Sequence, residues 1–110
     1  MERFKISDGR LYIRISEDLD HHLTQALRSE IDDRIDKENM IHIVFDFSGM
    51  NFMDSAGIGL IMGRYKKVYL KGGTVMIIGI SPSIDRILRI SGLYKIVNQS
   101  ITMPEGIYEK

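Results

Sequence analysis

The stretch Ile41-His42-Ile43-Val44-Phe45-Asp46-Phe47, followed by Ser48-Gly49-Met50-Asn51-Phe52-Met53-Asp54-Ser55-Ala56-Gly57-Ile58-Gly59, carries a strand into a helix. Ile41 to Phe47 is a short apolar run rich in β-branched and aromatic side chains, the composition of a strand in the middle of a covered sheet. Beyond it, Ile58, Ile61, Met62, Tyr65, Val68 and Tyr69 recur at three- and four-residue steps and predict an amphipathic helix packed on that sheet. Ser55 falls at or next to the N-cap of this helix. Free backbone N–H groups and the positive end of the helix dipole gather there, so a negative charge is tolerated better than almost anywhere else. Read alone, Asp54-Ser55 is a capping pair. Phe52 and Met53 are apolar within a loop, and Gly57 and Gly59 strip side chains from the first helical turn at about 1 kcal/mol each against alanine. That expense points to something that approaches the backbone closely.

Working outward, Phe4 to Ser7 and Arg10 to Ser16 flank Asp8-Gly9, a strong hairpin signal, and Leu11, Ile13 and Ile15 alternate with Arg10, Tyr12 and Arg14. Asp20 can cap a helix with Leu23, Ala26, Leu27, Ile31 and Ile35 on one face, while Arg28, Glu30, Asp32, Asp33 and Arg34 face largely outward. After the Ser55 helix come a Gly72-Gly73 turn and a buried strand, Thr74 to Ile80. Ser81-Pro82 opens a third helix carrying Ile84, Ile87 and Leu88, and Ser91-Gly92 ends it. Tyr94 to Val97 reads as a short edge strand, and Ser100 to Lys110 as irregular with at most one helical turn. The order ββαβαβα with a short C-terminal element predicts an α/β fold, a mixed and mainly parallel sheet opened by a β-hairpin. Parallel strands send their outgoing loops to one edge, where α/β folds place their sites. Those loops are Glu17 to Asp20, Ser48 to Asp54 and Gly79 to Ser81, so Ser55 is expected beside Asp18, Asp20, His21 and Asp54 on a locally acidic face.

With 110 residues the chain reads as one domain, 1–110, long enough to bury a core without disulfides or metal. Lys plus Arg and Asp plus Glu number 15 each, which removes any bulk attraction to nucleic acid or an anionic membrane. No cysteine is present, so a thiol nucleophile is excluded, and no segment has the length of a signal peptide core or a membrane span. The expectation is a soluble cytoplasmic protein. Several chemistries fail on spacing. Met62 stands where a dinucleotide-binding fingerprint needs its third glycine, and no P-loop is present. His21 and His22 are adjacent on a helix and point about 100° apart, so they form no metal pair. Ser55, Asp54 and His21 lack the Gly-x-Ser-x-Gly elbow of a hydrolase. Asp46 takes the place of a receiver domain's phospho-acceptor, but no lysine stands directly after Ile80 to complete such a site. No catalysis, cofactor or metal is expected.

With Ser55 placed, the chain resembles the anti-sigma factor antagonists, single STAS domains of bacteria, and within them the sporulation members. The matching residues are Leu19-Asp20-His21-His22, Phe52-Met53-Asp54-Ser55 with Gly57 and Gly59, Gly63-Arg64-Tyr65-Lys66, and Ser81-Pro82 with Ser91-Gly92-Leu93. The resemblance implies that Ser55 is phosphorylated by the anti-sigma factor, an ATP-dependent serine kinase of the GHKL type. It implies further that only the unphosphorylated form binds that kinase and frees the sigma factor, and that a serine phosphatase resets the switch. The partner-binding residues expected are Asp20, His21, Asp54, Ser55, Gly57, Ile58 and Gly59. Ala56 replaces the family's second serine and leaves one acceptor, and Glu17 stands where many relatives have glycine. The alternative is a STAS scaffold subunit within a larger stress-signalling assembly.

Overall fold

The computed structural model describes residues 2–99. β1 (Phe4–Ser7) runs antiparallel to β2 (Arg10–Arg14), with Ser7 opposite Arg10 and Phe4 opposite Ile13. Asp8 and Gly9 both take positive φ, 55° and 75°, the backbone of a two-residue turn whose twist suits its strands. β3 (His42–Asp46), β4 (Thr74–Ile78) and β5 (Asn98–Gln99) add in parallel, in spatial order β1-β2-β3-β4-β5. Between them lie α1 (His21–Glu38), α2 (Ser55–Tyr69) and α3 (Pro82–Ser91). The mixed, mainly parallel sheet and the order ββαβαβα are as the sequence predicts.

Leu11, Ile13, Ile43, Phe45, Val75 and Ile77 pack with Leu27, Ile31 and Ile35 of α1, Leu60, Ile61 and Val68 of α2, and Ile84 and Leu88 of α3. The alternate strand residues Tyr12, Val44 and Ile78 form a separate small cluster with Met76, to which none of the described helices contributes. The three described helices therefore bury their apolar stripes in one common core, and the loops that feed them leave one edge of the sheet.

The structure corrects four local expectations. β2 stops at Arg14, β3 at Asp46 and β4 at Ile78, so Ile15 and Phe47 belong to loops although both are fully buried. On α1, Ala26 is exposed and Thr24 is buried in its stead. On α2 the inward face is Gly57, Leu60, Ile61, Arg64 and Val68, while Met62 and Tyr69 lie outside. Gly57 sets this rotation, because without a side chain it seats the first turn against Met53 and Leu19. After Gly92 the chain makes a 3-10 turn, Leu93–Lys95, and pairs with β4 only from Asn98, so Tyr94 to Val97 is not a strand. Leu93 is drawn into the core and the Tyr94 hydroxyl donates to Asp85 Oδ1 at 2.8 Å, which bends the segment away from the ladder. The helical turn expected within Ser100 to Lys110 lies outside the described residues.

Arg64 enters the core face of α2 because α1 supplies its counter-charge. Arg64 Nε lies 2.9 Å from Asp32 Oδ1, and about one turn on Lys67 Nζ lies 3.1 Å from Asp36 Oδ1. Only 8 % of Arg64 is exposed, and burial pushes its guanidinium pKa down against the opposing pull of Asp32. The contact is close but misaligned: Arg64 Nε and Nη1 and Asp32 Oδ1 are buried without an aligned hydrogen bond among the described residues. Such a pair specifies how α1 and α2 meet more than it stabilises them. Asp32→Ala, which strands a buried cation, is expected to cost about 3 kcal/mol in urea unfolding. The double replacement Asp32→Leu with Arg64→Met should restore most of it; a single variant as stable as wild type would contradict this role.

Candidate functional site

Backbone pairing brings the loops after β2 and β3 together. Leu19 and Met53 form an isolated parallel bridge, in which Leu19 N donates to Phe52 O at 2.9 Å and Asp54 N donates to Leu19 O at 3.2 Å. Leu19 and Met53 point inward and are buried. Alternation of an extended backbone then sends their neighbours outward: Asp18, Asp20 and Phe52 are exposed and Asp54 is half-buried. Each loop ends in an aspartate that caps the helix it feeds. Asp20 Oδ1 accepts from Leu23 N at 3.0 Å, and Asp54 Oδ1 accepts from Ala56 N at 2.9 Å and Gly57 N at 3.3 Å.

Ser55 is the first residue of α2 and is exposed, one position after the cap. The expectation that free amides surround it needs correcting, since the Asp54 carboxylate already takes two of those of the first turn. An anion on Ser55 would meet the helix dipole but stand beside a carboxylate rather than in an empty amide nest. His21 opens α1 and is exposed, its ring centroid 6.4 Å from that of His22. Ile58 is half-buried against the core, and Gly59 is exposed, with nothing among the described residues within 4 Å of the place its Cβ would take. Gly57 does not belong to the outer surface. It is buried, and a Cβ there would lie 2.5 Å from Met53 Cγ and 3.0 Å from Leu19 Cγ and Cδ2, so its missing side chain serves internal packing. Asp20, His21, Asp54, Ser55 and Gly59 thus remain accessible at one edge.

Two supports of this edge escape a reading of the sequence. At the start of the Ser48 to Asp54 loop, Asp46 Oδ1 accepts from Ser48 N at 3.0 Å and Ser48 Oγ at 2.7 Å, while its other oxygen is buried without a partner among the described residues. Gly79, at φ 68°, leaves the room this turn occupies; a Cβ would strike Ser48 Oγ and lie 2.7 Å from Asp46 Oδ1. Asp46 is wholly buried, so a receiver-type phospho-acceptor role fails on access. Beside the Asp18 loop, Arg3 Nη1 donates to Glu17 Oε1 at 3.1 Å and to Arg14 O at 3.0 Å, and Arg3 Nη2 donates to Glu17 Oε2 at 2.7 Å. This hydrogen-bonded pairing holds the Glu17 carboxyl down at about 2, against burial that raises it. Its contribution is present in full above the ordinary value of 4.5 and is lost as pH falls through about 2. Glu17 is half-exposed, so the pair is worth no more than about 1 kcal/mol. A sequence offers little signal for it, since the partners lie 14 positions apart on different elements.

The STAS domain family model matches residues 3–106. The anti-sigma F factor antagonist of Paenibacillus polymyxa is 40% identical over 89 residues, which cover 81% of this chain and 76% of that protein. Among solved structures, a putative anti-sigma factor antagonist from Thermotoga maritima superposes with a TM-score of 0.86 at 21% identity, covering 96% of this chain and 91% of that one. The Bacillus cell fate determinant SpoIIAA in its phosphorylated form superposes with a TM-score of 0.71 at 26% identity, covering 89% of each chain. The chain is a STAS domain and belongs to the anti-sigma factor antagonist family.

Proposed function

We propose that this chain is a phosphorylation-controlled docking module without catalysis of its own. Its unphosphorylated form binds an anti-sigma factor, a GHKL-type serine kinase of the cytoplasm, through the edge formed by Asp20, His21, Asp54, Ser55, Ile58 and Gly59. Binding frees the sporulation sigma factor. The kinase phosphorylates Ser55 and so ends its own capture, and a serine phosphatase restores the hydroxyl. The observation that carries this reading is the position of Ser55: an exposed hydroxyl at the first helical residue, on a loop fixed by the Leu19–Met53 bridge and flanked by two capping carboxylates. The name of the Paenibacillus polymyxa relative and the phosphorylated state of the Bacillus one support it.

The physics of the switch lies at the surface. A phosphate adds nearly two negative charges and three acceptor oxygens to Ser55. The helix dipole favours that charge, while Asp54 and the nearby Asp20 oppose it. The domain keeps its fold, because Ser55 itself packs against nothing in the core. The cost falls on the partner, which would have to accept a bulky dianion at the centre of its contact.

Phosphorylated Ser55 is expected to leave the circular dichroism unchanged and the melting temperature within a few degrees, while affinity for the anti-sigma factor falls at least about 100-fold. Ser55→Ala should bind as the unphosphorylated wild type does and never be modified. Affinity that survives phosphorylation, or vanishes only because the domain melts, contradicts the proposal. The two glycines give an independent check by calorimetry and binding. Gly59→Ala should stabilise the domain by about 0.5–1 kcal/mol and yet weaken the complex, whereas Gly57→Ala should destabilise the domain itself. A Gly59→Ala variant that binds as wild type would remove Gly59 from the contact.

A further inference from the structure

The bridge that presents Ser55 also displays an aromatic ring for which the fold has no use. Phe52 is 49% exposed although it lies between the buried Met50 and Met53. Its backbone is fixed, because Phe52 O accepts from Leu19 N, and its side chain therefore stands on the same outer side as Asp18 and Asp20. Leaving half a phenylalanine in water forgoes roughly 1 kcal/mol of burial that a polar residue here would not have sought. An aromatic side chain with few rotatable bonds, on a loop pinned by the Leu19–Met53 bridge and on the same outer side as the exposed Asp18 and Asp20, has the form of an interface anchor beside a polar rim.

The geometry points to Phe52 as the apolar anchor of the Ser55 edge, seated in an apolar pocket of the partner whose rim carries basic groups facing Asp18, Asp20 and Asp54. This rests on the proposed function for the identity of the partner, and adds to it the shape and chemistry of the partner's surface. The acidic rim selects a basic counterpart, and the ring supplies the apolar burial that charge pairing at a wet rim does not. The ring stands on the loop that leads into α2 and the hydroxyl on its first residue, three positions on, so a phosphate on Ser55 disturbs the seat of the anchor as well as the charge balance.

The test uses the whole chain and the purified anti-sigma F factor of Paenibacillus polymyxa, whose antagonist is 40% identical to this chain. Binding by titration calorimetry and the kinetics of Ser55 phosphorylation are measured for wild type, Phe52→Ala and Phe52→Leu. Phe52→Ala is expected to keep the melting temperature within a few degrees, to weaken binding about 30-fold, and to raise KM for phosphorylation while kcat is kept. Phe52→Leu, which keeps apolar volume, should lose less than about 10-fold, and it decides the matter should Phe52→Ala melt early. Wild-type affinity in both variants overturns the anchor and leaves the proposed function standing. A wild-type chain that does not bind at all removes both.

Discussion

Two backbone hydrogen bonds, from Leu19 N to Phe52 O and from Asp54 N to Leu19 O, tie the loop leaving β2 to the loop leaving β3. The edge that carries Ser55 depends on them. Parallel strands by themselves only deliver their outgoing loops to the same end of a sheet; the bridge fixes the distance and the facing of the two segments. Once Leu19 and Met53 are driven inward by burial, alternation leaves no freedom over Asp18, Asp20, Phe52 and Asp54. The two aspartates then start α1 and α2 in register with each other, and Ser55 follows as a consequence of the cap at Asp54. Gly57 completes the unit from below by admitting Met53 and Leu19 against the first turn of α2.

The same arrangement lets the proposed phosphorylation of Ser55 act without a change of fold. Asp54 engages the amides of Ala56 and Gly57 with its carboxylate, so two amides of the first turn are already taken where Ser55 stands. A phosphate there cannot draw the loop into a new hydrogen-bonded conformation without displacing the cap. It remains an added charge and an added volume on a rigid surface, read by whatever docks there. Asp46, Ser48 and Gly79 form a hydrogen-bonded, close-packed turn on one flank, and Arg3 pairs with Glu17 on the other.

Local chemistry made much of this legible in the sequence. The Asp8-Gly9 turn, the Asp20 and Ser81 caps, the start of α2 at Ser55 and the parallel core strands each follow from a few adjacent residues, and each stands where those residues put it. What stayed hidden depends on partners far along the chain. Arg64 lies outside the apolar stripe that the sequence shows, and its burial is explained only by Asp32 on another helix; with Arg64 inside, Met62 and Tyr69 turn out. Gly57 and Gly59 look alike in sequence and differ wholly in role, since one faces Met53 and the other faces open space. The segment after Gly92 has the apolar pattern of a short strand, but its apolar residues serve a 3-10 turn and the core rather than a ladder.

As proposed, the anti-sigma factor meets this domain at the carboxyl edge of its sheet, around Ser55. Amide hydrogen exchange of the chain, free and saturated with an anti-sigma factor, tests it most directly. New protection is expected across residues 18–22 and 51–63, with the opposite edge, Asp8 to Arg10, His42 and Gly72 to Thr74, exchanging as in the free domain. Protection gained at that opposite edge, with none around Ser55, would contradict the account.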